Sequence, residues 1–283
     1  MLETINTWSD YRSQVREFDA VLEHGKALAG ALAGHAPASV HAAYGAQIFI
    51  KLLGHCVALR SLAPKTSQVG SVPLSDISSM SALARCAVEA HDAFEYIAGH
   101  DVPAVERSFR LRLWELHDET RRLKMFGDKD VAEPHVVALR EDARRRQAEL
   151  EGHEFLASLP AELQAVLRQR LAEGDPPAFH LSQRQRCAQS GVDAQWHHAV
   201  TMQLAQYAHT LPTAVLLPGH EPDTAETLRL TALPLLLALP FLARVAQAMA
   251  TLVPERKSEP PSRTARTMAV WRHVAEAGAR GAA

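Results

Sequence analysis

Apolar residues recur at intervals of three and four along almost the whole of this chain, and they never alternate with polar ones over more than a few positions. That periodicity predicts helices and no sheet. The expected helices span 7–33, 38–62, 75–98, 103–126, 133–157, 160–172, 181–190, 192–209, 224–252 and 262–278. Their boundaries come from breakers: Pro64 with Gly70–Pro73, Gly99 with Pro103, Gly127, Gly152 with Pro160, and Gly174-Asp175-Pro176-Pro177. Leu211 to Pro222 holds three prolines and a glycine, which makes it a loop. No sequence unit of solenoid length repeats, so the fold class expected is all-α, an irregular multi-helix bundle.

Composition adds a core and removes several classes of function. With 283 residues, 47% of them hydrophobic, the chain can bury a substantial interior. Residues 1–253 are expected to form a single helical domain, and 254–283 a polar linker with a loosely docked C-terminal helix. The most apolar stretch, Leu230 to Ala243, is 14 residues without a charge, short of the roughly 20 needed to cross a bilayer. Arg229 and Arg244 close it, and Pro234 and Pro240 interrupt it, so it is expected to be a buried, bent core helix. Cys56, Cys86 and Cys187 are odd in number and contain no CxxC, which argues against a disulfide framework or a zinc knuckle. Cys86, beside an apolar helix face, is expected to be a small core residue. The N-terminus lacks the apolar core of a secretion signal, and a cytoplasmic location is expected.

Basic and acidic residues nearly cancel, 30 against 32, leaving no general field for a polyanion. The densest run of charge, 101–150, is itself balanced, with 11 of each sign, and reads as solvated helix faces with pairs such as Glu141–Arg145. Fifteen histidines raise the question of a metal. Neither HExxH nor Glu-x-x-His occurs, and His91 with Glu95 supplies only one i,i+4 pair, so neither metal nor cofactor is expected. The dipeptides His91-Asp92, His100-Asp101 and His117-Asp118 lack the additional ligands that helical phosphohydrolases bring to such dyads, and read as surface. GxSxG and phosphate-binding glycine loops are absent.

One helix stands out, Ser78 to Ile97. Leu83, Ala87, Ala90, Phe94 and Ile97 form one stripe, and Arg85, Glu89, Asp92 and Tyr96 form a polar one opposite. Arg85 and Glu89 are one turn apart and can pair, and His209 falls at the C-terminus of its helix, where the macrodipole favours a cation. Arg85-Cys-Ala-Val-Glu89, with Leu204-Ala-Gln-Tyr-Ala-His209 and Pro212, resembles a bacterial all-helical family described as a domain of unknown function. Family members often carry serine where this chain has Ala205. The resemblance spans about Ala43 to Val215 and implies a polar centre of Arg85, Glu89 and His209 as the ligand-binding site. A second likeness is to the helical ribonucleases of the higher-eukaryote-and-prokaryote nucleotide-binding class, through Arg85-x5-His91 and Arg112-x4-His117. There a histidine would move the proton and an arginine would stabilise the phosphorane, so Arg85, His91, Arg112, His117 and His209 are the catalytic candidates.

The expected function is a non-catalytic scaffold or interaction module. Its partner would be another protein or a small anionic ligand, no membrane is expected, and a homo-oligomer is compatible. A metal-independent ribonuclease acting on RNA is the alternative, followed by membrane association through 230–243.

Overall fold

The computed structural model describes residues 2–34, 38–65, 76–127, 132–209, 211–215, 224–253 and 259–278. The expected breaks at Gly70–Pro73 and at 254–258 lie outside the described residues, as does 216–222 of the loop expected over Leu211 to Pro222, whose described part instead forms a short helix over Pro212–Val215. The protein is all-α, with no strand among the described residues. In chain order the helices are α1 (Trp8–Leu32), α2 (Val40–Leu62), α3 (Ile77–Phe94), α4 (Ala104–Leu123), α5 (Pro134–Glu151), α6 (Glu154–Ser158), α7 (Ala161–Ala172), α8 (Gln183–Ser190), α9 (Ala194–Ala208), α10 (Pro212–Val215), α11 (Ala225–Leu252) and α12 (Ser262–Ala277). A 3₁₀ turn precedes α1, and a π-turn, Glu95–Gly99, extends α3. Side chains set many of the starts: Thr7 and Asp10 form a capping box on α1, and Ser39, Asp76, Asp193 and Thr224 cap α2, α3, α9 and α11.

The described residues divide into two compact units. One comprises 1–99 with 183–283, and the other 100–182. In the first unit, α3 packs against α2, α9 and α11, and α11 also packs against α1, α2 and α12. The C-terminal half of the polar stripe of α3 is therefore interior: Tyr96 is buried, and Asp92 faces α9 rather than solvent. Helix α12 is not loosely attached. Met268, Trp271 and Ala275 are buried, the Trp271 indole donates to Glu17 on α1, and the Ala275 carbonyl accepts from the Asp193 amide. Helix α11 runs unbroken through Pro234 and Pro240. Both α2 and α11 are long and apolar enough to cross a membrane, and 61% of the most apolar window of α11 is buried within the protein.

The second unit is built from α4 to α7. Phe109, Leu113, Leu116, Ala143, Leu150, Leu156, Leu167 and Leu171 form its core. The helix expected over 133–157 stops at Glu151, and α6 starts anew behind His153, whose ring caps the Phe155 amide. Charges in this unit tie helices together more than they coat them. Arg146 of α5 reaches Glu115 and Glu119 of α4, and Arg112 reaches Glu149. Arg145 pairs with Asp142 rather than with Glu141.

Candidate functional site

The polar interior of the first unit is centred on Asp92. Its Oδ1 accepts from His197 Nε2 on α9 at 2.9 Å and from His91 Nδ1 at 3.1 Å, while Arg186 Nη2 lies 4.0 Å from Oδ2. The Gln183 amide donates to His197 Nδ1, which places the other ring proton on Nε2, toward the carboxylate. Both imidazoles are buried, and Phe241 of α11 presents its ring to each, with centroids 4.9 Å from His91 and 5.6 Å from His197. Burial alone would push the Asp92 carboxyl up. The hydrogen bonds from His197 and His91, with the charge of those rings, outweigh burial and hold it well below the ordinary carboxylate range.

One end of this network is open. His91 Nε2 is buried without a hydrogen-bond partner and lies 3.7 Å from Glu95 Oε1. Glu95 begins the π-turn, and its side chain keeps only 11% of its exposure. Gly99 closes that turn, and a Cβ there would overlap the Glu95 carboxylate. Glycine is thus what lets the carboxylate lie back along the turn.

Glu95 lines a pocket of about 460 Å³, within the usual range for small-molecule sites. Gly99 belongs to the same wall, Arg244, Gln247 and Thr251 come from α11, and Arg272 comes from α12. The side chain of Arg244 is 10% exposed. It donates to the Ser190 carbonyl and to Glu276 at 3.0 Å, and its Nε is buried with no partner. Arg272 lies 4.0 Å from the same Glu276 carboxylate and is more open. The pocket thus sets a nearly buried carboxylate and a nearly buried guanidinium in one cavity, each with hydrogen-bonding capacity unused.

The residues singled out in the sequence fall in several places. Arg85 pairs with Glu89 at 3.2 Å and donates to the Thr201 carbonyl, fastening α3 to α9. Glu89 is exposed, so this is a rim pair. His209 is the exposed C-cap residue of α9, and no hydrogen bond or ion pair joins its side chain to Arg85 or Glu89 among the described residues. The three do not converge, because Thr201 and His209 are two turns apart on α9. His91 is sealed inside the first unit. Arg112 bonds Ser108 and Glu149, and His117 Nδ1 donates to the Pro176 carbonyl in the second unit. His100, read as surface, is buried against Arg110. Cys86 is half-buried, while burial pushes the Cys56 thiol up to about 12 and the Cys187 thiol up to about 11.

No group of three or more His, Cys, Asp or Glu placed to hold a metal ion occurs among the described residues. Sequence reasoning paired His91 with Glu95, yet gave no weight to Glu95 as a pocket residue, nor to Arg244 or Arg272. The available signal was an arginine within the most apolar helix, flanked by Ala243 and Val245, where a charge is costly without a task. Comparison with known proteins returns no relative: no family model matches the chain, and no curated protein and no solved structure matches it.

Proposed function

We propose that this chain is a non-catalytic, cytoplasmic helical module that binds a small molecule bearing an anionic group in the pocket between the π-turn, α11 and α12. The observation behind this reading is Arg244, a guanidinium nine-tenths buried in the pocket wall with its Nε unengaged. Arg272 stands in the same wall, so the pocket offers two guanidinium groups to an anion. The anion-binding role expected of Arg85 thereby moves to Arg244 and Arg272, since Arg85 is already committed to Glu89 and Thr201. The burial of α11 against its neighbours in the first unit supports reading it as a core helix.

Titration calorimetry with acetate, butyrate and inorganic phosphate tests this reading. Saturable binding that Arg244→Met removes, with the helical circular dichroism spectrum intact, supports it; no heat with any of these probes or with amino acids contradicts it. The ribonuclease alternative gains nothing from the geometry. His91 is enclosed, and Arg112 and His117 each serve a structural partner.

A further inference from the structure

The pocket does more than offer arginines. Its charges come from three elements: Glu95 from the end of α3, Arg244 from α11, and Arg272 from α12, with Glu276 of α12 paired to Arg244. Two guanidinium groups thus stand against two carboxylates. A simple anion entering this space would meet the Glu95 carboxylate, and a simple cation would meet the Arg244 and Arg272 guanidinium groups. A molecule with a separated positive and negative end answers both.

We propose that the occupant is a small zwitterion, an alkylammonium carboxylate. Its ammonium would donate to Glu95 and its carboxylate would accept from Arg244 and Arg272. The proposal rests on reading this pocket as a binding site and names the ligand class for it. Both poles are already largely withdrawn from water in the empty protein, so binding need not newly desolvate them, and their side chains are held in place. Arg244 is held by Ser190 and Glu276, and Glu95 lies back over Gly99 in space that a Cβ would take. Pairing opposite charges at both ends gives selectivity against singly charged analogues, because each analogue leaves one buried pole unpaired.

The test is calorimetric titration of the full chain with glycine, β-alanine, 4-aminobutyrate and 6-aminohexanoate, alongside n-butylamine, butyrate and inorganic phosphate. At least one amino acid should bind about tenfold or more tightly than both butylamine and butyrate, and the best chain length reports the separation of the two poles. Glu95→Gln should erase the advantage over butyrate without weakening butyrate itself, and Arg244→Met should erase the advantage over butylamine. Butyrate or phosphate binding as tightly as every amino acid would overturn the zwitterion while leaving the pocket as an anion site. Tight amino-acid binding that ignores both substitutions would place it elsewhere and overturn the proposal. Silence with all seven probes on folded protein would overturn both this proposal and the binding function. Because the wild-type series alone discriminates among ligand classes, a variant that fails to fold does not rescue the idea.

Discussion

Each of the two units buries a cluster of charged and imidazole groups, and the clusters end differently. In the second unit, Arg110 is fully buried, and its guanidinium is held by Glu106 and by His100 Nδ1 at 2.8 Å. His180 lies beside it, with Phe109 and Phe155 edge-on at 5.6 and 5.5 Å. There a charge meets its counter-charge inside an aromatic box. In the first unit, Asp92 is equally well provided for, yet the chain of contacts continues through His91 to a carboxylate that faces a cavity without a donor. Buried charge that is fully paired specifies packing. Buried charge beside a cavity calls for an explanation, and the proposed ligand would supply one.

Substitutions should separate the two clusters by stability and by binding. The largest loss is expected from Arg110→Met, which strands Glu106 in the interior. Chemical denaturation should show about 3–5 kcal/mol of lost stability, and adding Glu106→Gln should recover much of it, because removing both charges costs less than orphaning one. Asp92→Asn weakens the acceptor shared by His91 and His197 and should cost about 1.5–3 kcal/mol, read as a lowered Tm.

Acid should act on both units, in different windows. Burial, and then the neighbouring Arg110 guanidinium, push the His180 imidazole down to about 3 from an ordinary 6.5. Between those values the unfolded chain takes up the proton and the folded one does not, so His180 contributes stability above pH 6.5 that is lost as pH falls toward 3. The slope from this one group is at most about 1.4 kcal/mol per pH unit. The Asp92 contribution is full above its ordinary value of 3.8 and is lost only below it. Denaturation midpoints measured from pH 7 to pH 4 should therefore fall in wild type and fall less in His180→Phe. The smallest stability effect is expected at Glu95, which makes no hydrogen bond that Gln would forfeit. Glu95→Gln should change stability by less than about 1 kcal/mol, in either direction, by the same denaturation measurement.

Much of the helical layout was legible because local chemistry agrees with it. Thr7 with Asp10, Ser39, Asp193 and Thr224 stand where helices were expected to begin, and every observed helix except the short α6 and α10 starts within two residues of an expected one. The failures share a physical cause, namely contacts between segments distant in sequence. The polar stripe of α3 has the amphipathic pattern of a surface helix, but α9 covers it with His197, a partner 105 residues away. The balanced charges of 101–150 read as solvent-facing because nothing local shows that Arg146 turns inward to Glu115 and Glu119. Periodicity carries no signal for the π-turn, since one extra residue in a turn shifts the pattern by no more than ordinary helix-end variation. The pocket was the least legible feature: Glu95 comes from the helix singled out, whereas Arg244 and Arg272 come from segments read as apolar core and as a loose tail.

The central claim is that Arg244 is held ready for a ligand. It is tested most directly by the ¹⁵N–¹Hε resonance of its guanidinium, assigned by its disappearance in Arg244→Lys and followed while 4-aminobutyrate and then butyrate are titrated in. A saturable shift of that resonance, with the same midpoint as the calorimetric binding curve, is the result predicted. Binding that shifts other resonances and leaves Arg244 Nε unmoved would contradict it.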